Sequence, residues 1–330
     1  ESSAGMQFVP LFVPYGEGPL VRGSLVDRYD RFIALVKLED GSEVRAHCIN
    51  PGRMEGFVEV GATVWLSERS SAASRSAASR GSASVRRTRF TWELISQKSS
   101  VLCSTNTIRP NAIAKALLER RALTGLTSYV ELAAEKAMGK KSRCDFWLKE
   151  ADGSEHWIEV KNCHAAYDEL PGFAYFPDSV TARGAKHCYE LAERVGGTTR
   201  CTVLFVAQRR DASEGVRISK YHDPAFARAA LYARSRGVRF RAVRVDCRLD
   251  GSTVLNELPV ELETNRDDDE ALACGVERLR PLTGWTRSFD GTPRRVANGP
   301  FKHHHSHLSK KRPPPPPPPP PAAPTKRKRS

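Results

Sequence analysis

The hydrophobic pattern of this chain changes character near residue 111. Before that point, alternating apolar residues predict short strands at 20–25, 31–38, 43–48 and 58–66. After that point, helix-spaced and strand-like segments follow one another. A chain with this change of pattern is expected to fold as an all-β unit followed by an α/β unit, and 330 residues are enough for both.

The N-terminal unit is predicted to be a small closed barrel, because several short strands separated by turns suit closure better than an open hairpin. Asp40-Gly41 is typical of a hairpin turn. Residues 68–89 consist almost only of Ser, Ala and Arg, so they predict a disordered insert in the barrel. Residues 90–96 are predicted to form either a strand or a helix.

The second unit is predicted from helix caps and from continuous apolar runs. A helix is expected at 111–123 and another from about Ser128. The remaining predicted elements are strands at 144–150 and 155–161, an extended segment at 163–176, a helix from 177 to 195, a strand at 201–207, a helix from 223 to 237 and a strand at 238–245.

The charge of the chain points to a polyanionic partner. Lys and Arg number 52 against 38 Asp and Glu, a formal net charge of +14. Nucleic acid is favoured over an anionic membrane surface. Much of the excess lies in residues 68–89 and 264–330, so basic tails on a nearly neutral globule are the alternative interpretation.

Residues 264–330 are predicted to be a disordered, Pro-rich basic tail. Nine consecutive prolines at 313–321 are typical of SH3 or WW ligands, which makes an interaction protein a further hypothesis. The basic run 326–329 leaves a nuclear signal open, and the His-rich stretch 303–307 is not expected to be a physiological metal site.

Membrane insertion and metal binding by cysteines are not indicated. No apolar run reaches the length of a membrane span. The eight cysteines are scattered without metal-ligand spacing, which is typical of reduced thiols in an intracellular protein. Localisation in an organelle and assembly as a homodimer both stay open as hypotheses. Because the sequence begins with Glu1, a targeting peptide also stays open.

The residues with the clearest chemical potential are Asp145, Glu159 and Lys161, which lie in or beside the two predicted strands of a hairpin. Side chains alternate along a strand, so Glu159 and Lys161 share one face. We predict a three- or five-residue loop, or a bulge, that places Asp145 opposite Lys161. All three polar side chains would then point the same way.

Two neighbouring carboxylates repel each other, and a hard cation such as Mg²⁺ or Mn²⁺ resolves this repulsion. A lysine beside the cation suits phosphodiester hydrolysis, and Asp145, Glu159 and Lys161 are therefore the predicted catalytic residues. Glu135, on the helix predicted from Ser128, is the expected third metal ligand, because Glu131 completes a capping box with that serine. A solvated strand face with ordinary ion pairs is the alternative interpretation.

Several motifs, in order, resemble the sugar fermentation stimulation protein (SfsA) family. The resemblance spans about residues 18–262 apart from the insert, and its motifs are Arg28-Tyr-Asp-Arg-Phe32, Ala46-His-Cys-Ile-Asn-Pro-Gly-Arg-Met54, Asn106-Thr107, Pro110-Asn111, Ser142-Arg-Cys-Asp-Phe146, Glu159-Val-Lys-Asn162 and Phe176 to His187.

The resemblance implies an OB-fold barrel followed by a PD-(D/E)xK restriction-endonuclease-like α/β domain. It implies DNA binding and a role in the control of sugar-utilisation genes, so a non-catalytic regulator is the alternative to a metal-dependent nuclease. Asp145, Glu159 and Lys161 match the nuclease signature, and Glu135 matches the acid before the Ser-Arg-Cys-Asp-Phe segment. The expected boundaries are 1–17 for an N-terminal extension, 18–100 for the barrel, 101–263 for the nuclease-like domain and 264–330 for the tail.

The candidate DNA contacts fall into two groups. Basic grooves of OB barrels bind nucleic-acid strands, which favours four residues on or beside the barrel. Three further residues share a face at the start of the helix expected from 177, where an anion is favoured. These candidates are Arg31, His47, Asn50, Arg53, Arg183, Lys186 and His187.

Overall fold

The computed structural model describes residues 8–15, 18–68, 88–97, 101–138 and 142–285. Most of the Ser/Ala/Arg insert, the His-rich stretch and the polyproline run lie outside these residues, so the predictions made for them stay predictions. Among the described residues, no helix has both the length and the apolar character needed to cross a membrane.

A six-stranded sheet forms the predicted barrel, in the strand order β4-β3-β2-β5-β6-β7. A further parallel pairing of β4 with β6, in which Ala46 lies opposite Phe90, closes it. Residues 90–96 are therefore a strand, and Trp92 at its centre is fully buried. The strands are β2 (Val21–Tyr29), β3 (Ile33–Leu38), β4 (Glu43–His47), β5 (Thr63–Glu68), β6 (Phe90–Ser96) and β7 (Leu102–Ser104).

A seven-stranded mixed sheet forms the second unit, in the order β1-β15-β14-β12-β10-β9-β8. Its centre is the parallel set β10, β12 and β14. The strands are β1 (Leu11–Pro14), β8 (Tyr129–Ala137), β9 (Arg143–Glu150), β10 (Glu155–Cys163), β12 (Thr199–Ala207), β14 (Arg239–Cys247) and β15 (Gly251–Leu258). A small parallel sheet contains β11 (Phe173–Phe176), β13 (Gly215–Ile218) and β16 (Val260–Glu261).

Helices cover both faces of the large sheet. Helix α1 (Arg109–Glu119) packs on one face, and α2 (Ala182–Arg194) and α3 (Pro224–Ser235) pack on the other. The sequence explains their starts, because the side chain of Thr181 caps α2 and that of Asp223 caps α3 through the backbone N–H of Ala225 and Phe226. The helix predicted from 177 therefore begins five residues later.

Two segments differ from the sequence prediction. The helix expected from Ser128 is strand β8, whose backbone hydrogen bonds go to β9. Tertiary pairing overrides the helical propensity of this Glu- and Ala-rich segment. The segment before residue 18, expected to be an extension, contributes β1, which pairs with β15 at the edge of the sheet. Of the extended segment expected at 163–176, Cys163 ends β10, Ala165 forms an isolated bridge to Tyr175, and Phe173–Phe176 form β11.

The start of the predicted disordered tail is folded. Residues Arg266–Leu279 form helix α4, followed by a 3₁₀ turn at Arg280–Leu282. The acidic run after the cap residue Asn265 lies in the first turn, where the helix dipole favours negative charge. Its acids also pair with Arg217 and Lys220 of the neighbouring domain.

His156 on β10 makes the stability of the fold dependent on pH. Its side chain is buried, and Nε2 lies 2.7 Å from the hydroxyl of Thr202. Burial, together with the charges of Arg200, Arg239 and Arg241, lowers the pKa of His156 to about 3. The unfolded chain binds this proton near pH 6.5, so the stabilisation is present above that pH and is lost as the pH falls below it.

We therefore expect the free energy of unfolding to fall by up to about 1.4 kcal/mol per pH unit through this group between pH 6.5 and about pH 4. Urea denaturation of the wild type and of His156→Gln, followed across this range, measures the contribution. The variant should show the shallower pH dependence. Equal slopes for the two proteins would contradict the assignment.

Candidate active site

The hairpin of β9 and β10 brings the predicted acidic residues together. Its turn spans residues 151–153, as a backbone hydrogen bond from Glu150 to Ser154 shows. Trp157 pairs with Trp147 and Ile158 with Phe146, so the register continues with Asp145 opposite Glu159. The predicted three-residue loop is therefore present. The expected pairing of Asp145 with Lys161 is wrong by two residues, a shift that leaves the side chains on the same face of the sheet.

The carboxylate of Asp145 lies where the β9–β10 ladder ends. Its Oδ2 accepts a hydrogen bond of 2.7 Å from the backbone N–H of Val160, and its Oδ1 accepts one of 2.8 Å from the Asn111 side chain. Burial and the neighbouring charge of Glu159 raise the pKa of Asp145 above its ordinary value. A cation beside the two acids would remove this cost.

Glu159 is 4% exposed, and one of its two carboxylate oxygens accepts hydrogen bonds from two side chains. Its Oε1 accepts hydrogen bonds from Lys161 Nζ at 2.5 Å and from Nδ1 of His187. Burial disfavours the carboxylate, but the bond from His187 and the charge of Lys161 outweigh it, and the net pKa of Glu159 is lowered. Its other oxygen, Oε2, is buried without a hydrogen-bond partner among the residues that the structure describes.

Helix α2 provides His187, which the sequence analysis assigned to DNA contact. Its side chain is 3% exposed and faces Glu159, so its place is inside the site and not on a DNA-facing surface. Lys186 reaches the Ser142 hydroxyl at 2.7 Å and Glu190 at 3.1 Å, with about half of its side chain exposed. Arg183, one turn before His187, is exposed and remains a candidate phosphate contact.

Glu135 does not lie on the predicted helix. It lies on strand β8 between Ala134 and Lys136, which pair with Phe146 and Cys144, so it stands opposite Asp145. It is exposed and has a φ of 52°. In the described part of the chain, no group of three or more His, Cys, Asp or Glu side chains is arranged to hold a metal ion. The structure therefore does not assemble the predicted set of three carboxylates.

Asn111, for which the sequence predicts no role, orients Asp145 from helix α1. Asn111 lies in the first turn of α1, directly after Pro110. Pro110-Asn111 is one of the motifs that resemble the SfsA family, but no sequence spacing links Asn111 to Asp145. Only the packing of α1 on the sheet makes this contact.

The barrel candidates lie in a different place, around the loop that follows β4. Asn50 is 3% exposed, and its amide oxygen accepts a 2.8 Å hydrogen bond from Gly52 N, so it holds the loop and is not a surface contact. His47 ends β4 beside β6. The loop touches the other domain where Met54 N donates to Asp178, just before helix α2. Arg31 is exposed, and Arg53 is partly buried.

Arg28, which the sequence analysis quoted without a role, organises this loop. It is fully buried, and its guanidinium donates hydrogen bonds to five backbone carbonyls. The acceptors are Arg31, Asn50, Gly52, Arg53 and Gly284. A planar fork with five N–H groups is the side chain best suited to such a ring of acceptors.

Comparison with known proteins agrees with this architecture. The family model of the SfsA N-terminal OB domain matches residues 26–104, and that of the sugar fermentation stimulation protein RE domain matches residues 108–251. The sugar fermentation stimulation protein homolog of Ruegeria pomeroyi is 38% identical over 219 residues, covering 66% of this chain and 89% of the relative. That of Maricaulis maris is 35% identical over 247 residues, covering 75% and 97%.

A solved structure shares the fold. The structure of Pyrococcus furiosus SfsA in complex with Ca²⁺ has a TM-score of 0.63 and 23% identity, and covers 76% of this chain and 99% of that chain. The barrel is thus an OB fold, and the second unit is a restriction-endonuclease-like α/β domain.

Proposed function

We propose that this chain, which belongs to the sugar fermentation stimulation protein family, binds DNA and hydrolyses its phosphodiester bonds with the help of a divalent cation held at Asp145 and Glu159. The observation that carries the proposal is the Glu159 Oε2 atom, buried without a hydrogen-bond partner among the described residues. A buried carboxylate oxygen without a donor is costly unless a cation binds it.

The donor set fits a hard cation. Mg²⁺ and Mn²⁺ prefer oxygen ligands, and Mg²⁺ is commonly held by one or two carboxylates together with waters and substrate phosphates. Asp145 and Glu159 supply the two carboxylates on neighbouring strands. Glu135, opposite Asp145 on β8, is the acid best placed to contribute through a water.

Each protein group around the acids has a distinct task. The bound cation would supply Lewis-acid polarisation of a phosphoryl oxygen. Asn111 and the Val160 N–H hold the Asp145 carboxylate in one orientation, and His187 does the same for Glu159. Lys161, whose side chain is 13% exposed, brings a positive charge to the site where negative charge develops on the phosphate.

DNA is the proposed substrate for two reasons. OB barrels bind nucleic-acid strands, and Arg31 and Arg53 lie on the loop side of this barrel near the start of helix α2. Arg183 and Lys186 extend the basic surface along α2 beside the carboxylates. A DNA backbone that contacts both the barrel loop and helix α2 would pass Asp145 and Glu159.

A DNA-binding regulator of sugar-metabolism genes without catalysis is the second candidate. The ion pair of Lys161 with Glu159 favours it, because a buried charge with a partner needs no metal. Binding would then persist without a cation and would not lead to cleavage.

Metal removal separates the two candidates. Plasmid and oligonucleotide DNA incubated with the protein and Mn²⁺ should be cut, and EDTA should stop cleavage while leaving much of the salt-sensitive binding. Isothermal titration calorimetry with Mn²⁺ in the absence of DNA measures metal binding independently of cleavage. If DNA is bound but stays intact with Mg²⁺ and Mn²⁺, and no metal binds, the nuclease proposal is overturned.

A further inference from the structure

One buried carboxylate of the barrel is bound by two side chains of the nuclease-like domain. Glu55, in the loop that follows β4, is 3% exposed. Its Oε2 accepts hydrogen bonds of 2.7 Å from the hydroxyl of Tyr167 and of 3.0 Å from Nε2 of His222. Nδ1 of His222 lies 2.6 Å from the hydroxyl of Ser219. A buried carboxylate without such partners would be costly, so this contact fixes the barrel against the nuclease-like domain.

The same barrel loop contacts the segment that leads into helix α2. The backbone N–H of Met54 donates a 3.3 Å hydrogen bond to Oδ2 of Asp178. At Gly52 an added Cβ would lie 3.0 Å from that oxygen, so the loop backbone lies close against this carboxylate. The ring of Phe57 packs on that of His164, with 4.9 Å between the ring centres. The loop therefore lies on the nuclease-like domain just before α2.

Asp223, the residue after His222, joins the starts of two helices. It is 2% exposed, and its Oδ1 caps α3 by accepting hydrogen bonds of 3.0 Å from the N–H groups of Ala225 and Phe226. Its Oδ2 accepts a 2.7 Å hydrogen bond from the N–H of Thr181, the cap residue of α2. One buried carboxylate thus caps α3 and holds the start of α2.

Helix α2 carries the histidine that orients Glu159. His187 lies in the second turn of α2, is 3% exposed and bonds Oε1 of Glu159 through Nδ1. Only two helical turns separate His187 from Thr181, so the position of the cap residue sets the position of the histidine. The site for a cation depends on this geometry, because ligands are precise only when their supporting side chains are held.

We propose that Asp223 is a positioning residue of the metal site, and that Glu55 of the barrel acts on that site through His222 and Asp223. The inference rests on the proposed function, because it concerns the cation held at Asp145 and Glu159. The barrel then has a second task besides DNA contact, since its docking completes the support of a carboxylate in the other domain.

Asp223→Asn separates the two roles of this carboxylate. Asparagine is as good a helix cap as aspartate, so α3 keeps its cap. Its amide nitrogen replaces Oδ2 and turns a donor toward the N–H of Thr181, so the bond to α2 is lost. Calorimetric titration of the DNA-free protein with Mn²⁺ should show about three- to tenfold weaker binding. Cleavage should slow through kcat, while KM for DNA stays within about twofold.

Two further variants test the barrel side of the link. Glu55→Met fills the space of the glutamate but removes the acceptor of Tyr167 and His222, and should weaken Mn²⁺ binding about threefold or more. Glu55→Gln keeps a carbonyl oxygen for the same donors and should restore the wild-type affinity. If Glu55→Met does not fold, His222→Phe takes its place, because it keeps a ring and breaks the same link from the other domain.

Asn265→Ala is the matched control. The side chain of Asn265 caps helix α4 by accepting a 2.8 Å hydrogen bond from the N–H of Asp268, so its loss lowers the stability of the fold. Helix α4 carries none of the residues assigned to the metal site. The affinity for Mn²⁺ should therefore stay at the wild-type value although urea denaturation shows a less stable protein.

Three results overturn the inference. The first is an unchanged Mn²⁺ affinity of folded Asp223→Asn, and the second is an equal loss in Asp223→Asn and Asn265→Ala, which would mean that stability alone matters. The third is wild-type affinity in the variant that breaks the link to Glu55. If the wild type still binds Mn²⁺ and cuts DNA, the proposed function stands in all three cases. A wild-type chain that binds no Mn²⁺ overturns both.

Discussion

Glu159→Gln is expected to reduce the proposed DNA cleavage by at least about 100-fold, because it removes the negative charge that would hold the cation next to Asp145. Such a loss corresponds to about 3 kcal/mol of transition-state stabilisation. Glutamine keeps the size of the side chain and one carbonyl acceptor for Lys161 and His187. DNA affinity in the absence of metal should therefore stay within a few-fold of the wild type. Initial rates of plasmid nicking with Mn²⁺ measure the effect.

Variants of the neighbouring strand are the controls. Glu131→Gln on β8 changes an exposed acid and should cleave like the wild type. Glu135→Gln should give an intermediate loss if this acid acts through a water. Asp145→Asn provides a second test of the pair if Glu159→Gln does not fold. Full cleavage by a folded Glu159→Gln protein would refute the catalytic assignment.

Arg28→Met is expected to lower the free energy of unfolding by about 3–5 kcal/mol, the cost of leaving buried polar groups without their charged partner. Methionine fills part of the space of the arginine stem, but the carbonyls of Arg31, Asn50, Gly52, Arg53 and Gly284 lose their donor. Buried carbonyl oxygens without a donor lower the stability, because water does not reach them to replace the lost hydrogen bonds. Urea denaturation followed by tryptophan fluorescence measures the change.

Arg22→Met is the matched control, since Arg22 lies on the same strand, is 59% exposed and pairs only with the exposed Glu39 among the described residues. Its effect should be within about 0.5 kcal/mol, as for most exposed ion pairs. Arg28→Lys keeps the charge but offers fewer donors, so an intermediate stability is expected. Equal stability of Arg28→Met and the wild type would show that the loop does not depend on this guanidinium.

The sequence could predict those parts of the fold that depend on local pattern. Alternating residues located the barrel strands, and the Asp223-Pro224 start of helix α3 follows directly from capping chemistry. The acids and the lysine of the hairpin could be placed on one face for the same reason. Strand β8 could not be predicted, because its Glu and Ala residues favour a helix until β9 offers backbone partners.

The same distinction holds for helix α4. Its acidic first turn resembles a disordered run when read alone, although the buried residues Leu272, Val276 and Leu279 follow a helical spacing. Ion pairs with Arg217 and Lys220 stabilise it, and these partners lie about 50 residues away in the sequence. No local rule contains that information.

For this chain, residue order alone was enough to specify two domain types, the acidic hairpin and the basic character of its C-terminal end, since each depends on spacing and composition. Three-dimensional packing was needed to place Glu159 opposite Asp145, to turn His187 inward, to bring Asn111 to the site and to bring Gly284 to Arg28. The physical reason is that side-chain periodicity is a property of a single segment. Register, burial and long-range hydrogen bonds arise only when segments distant in sequence compete for the same partners.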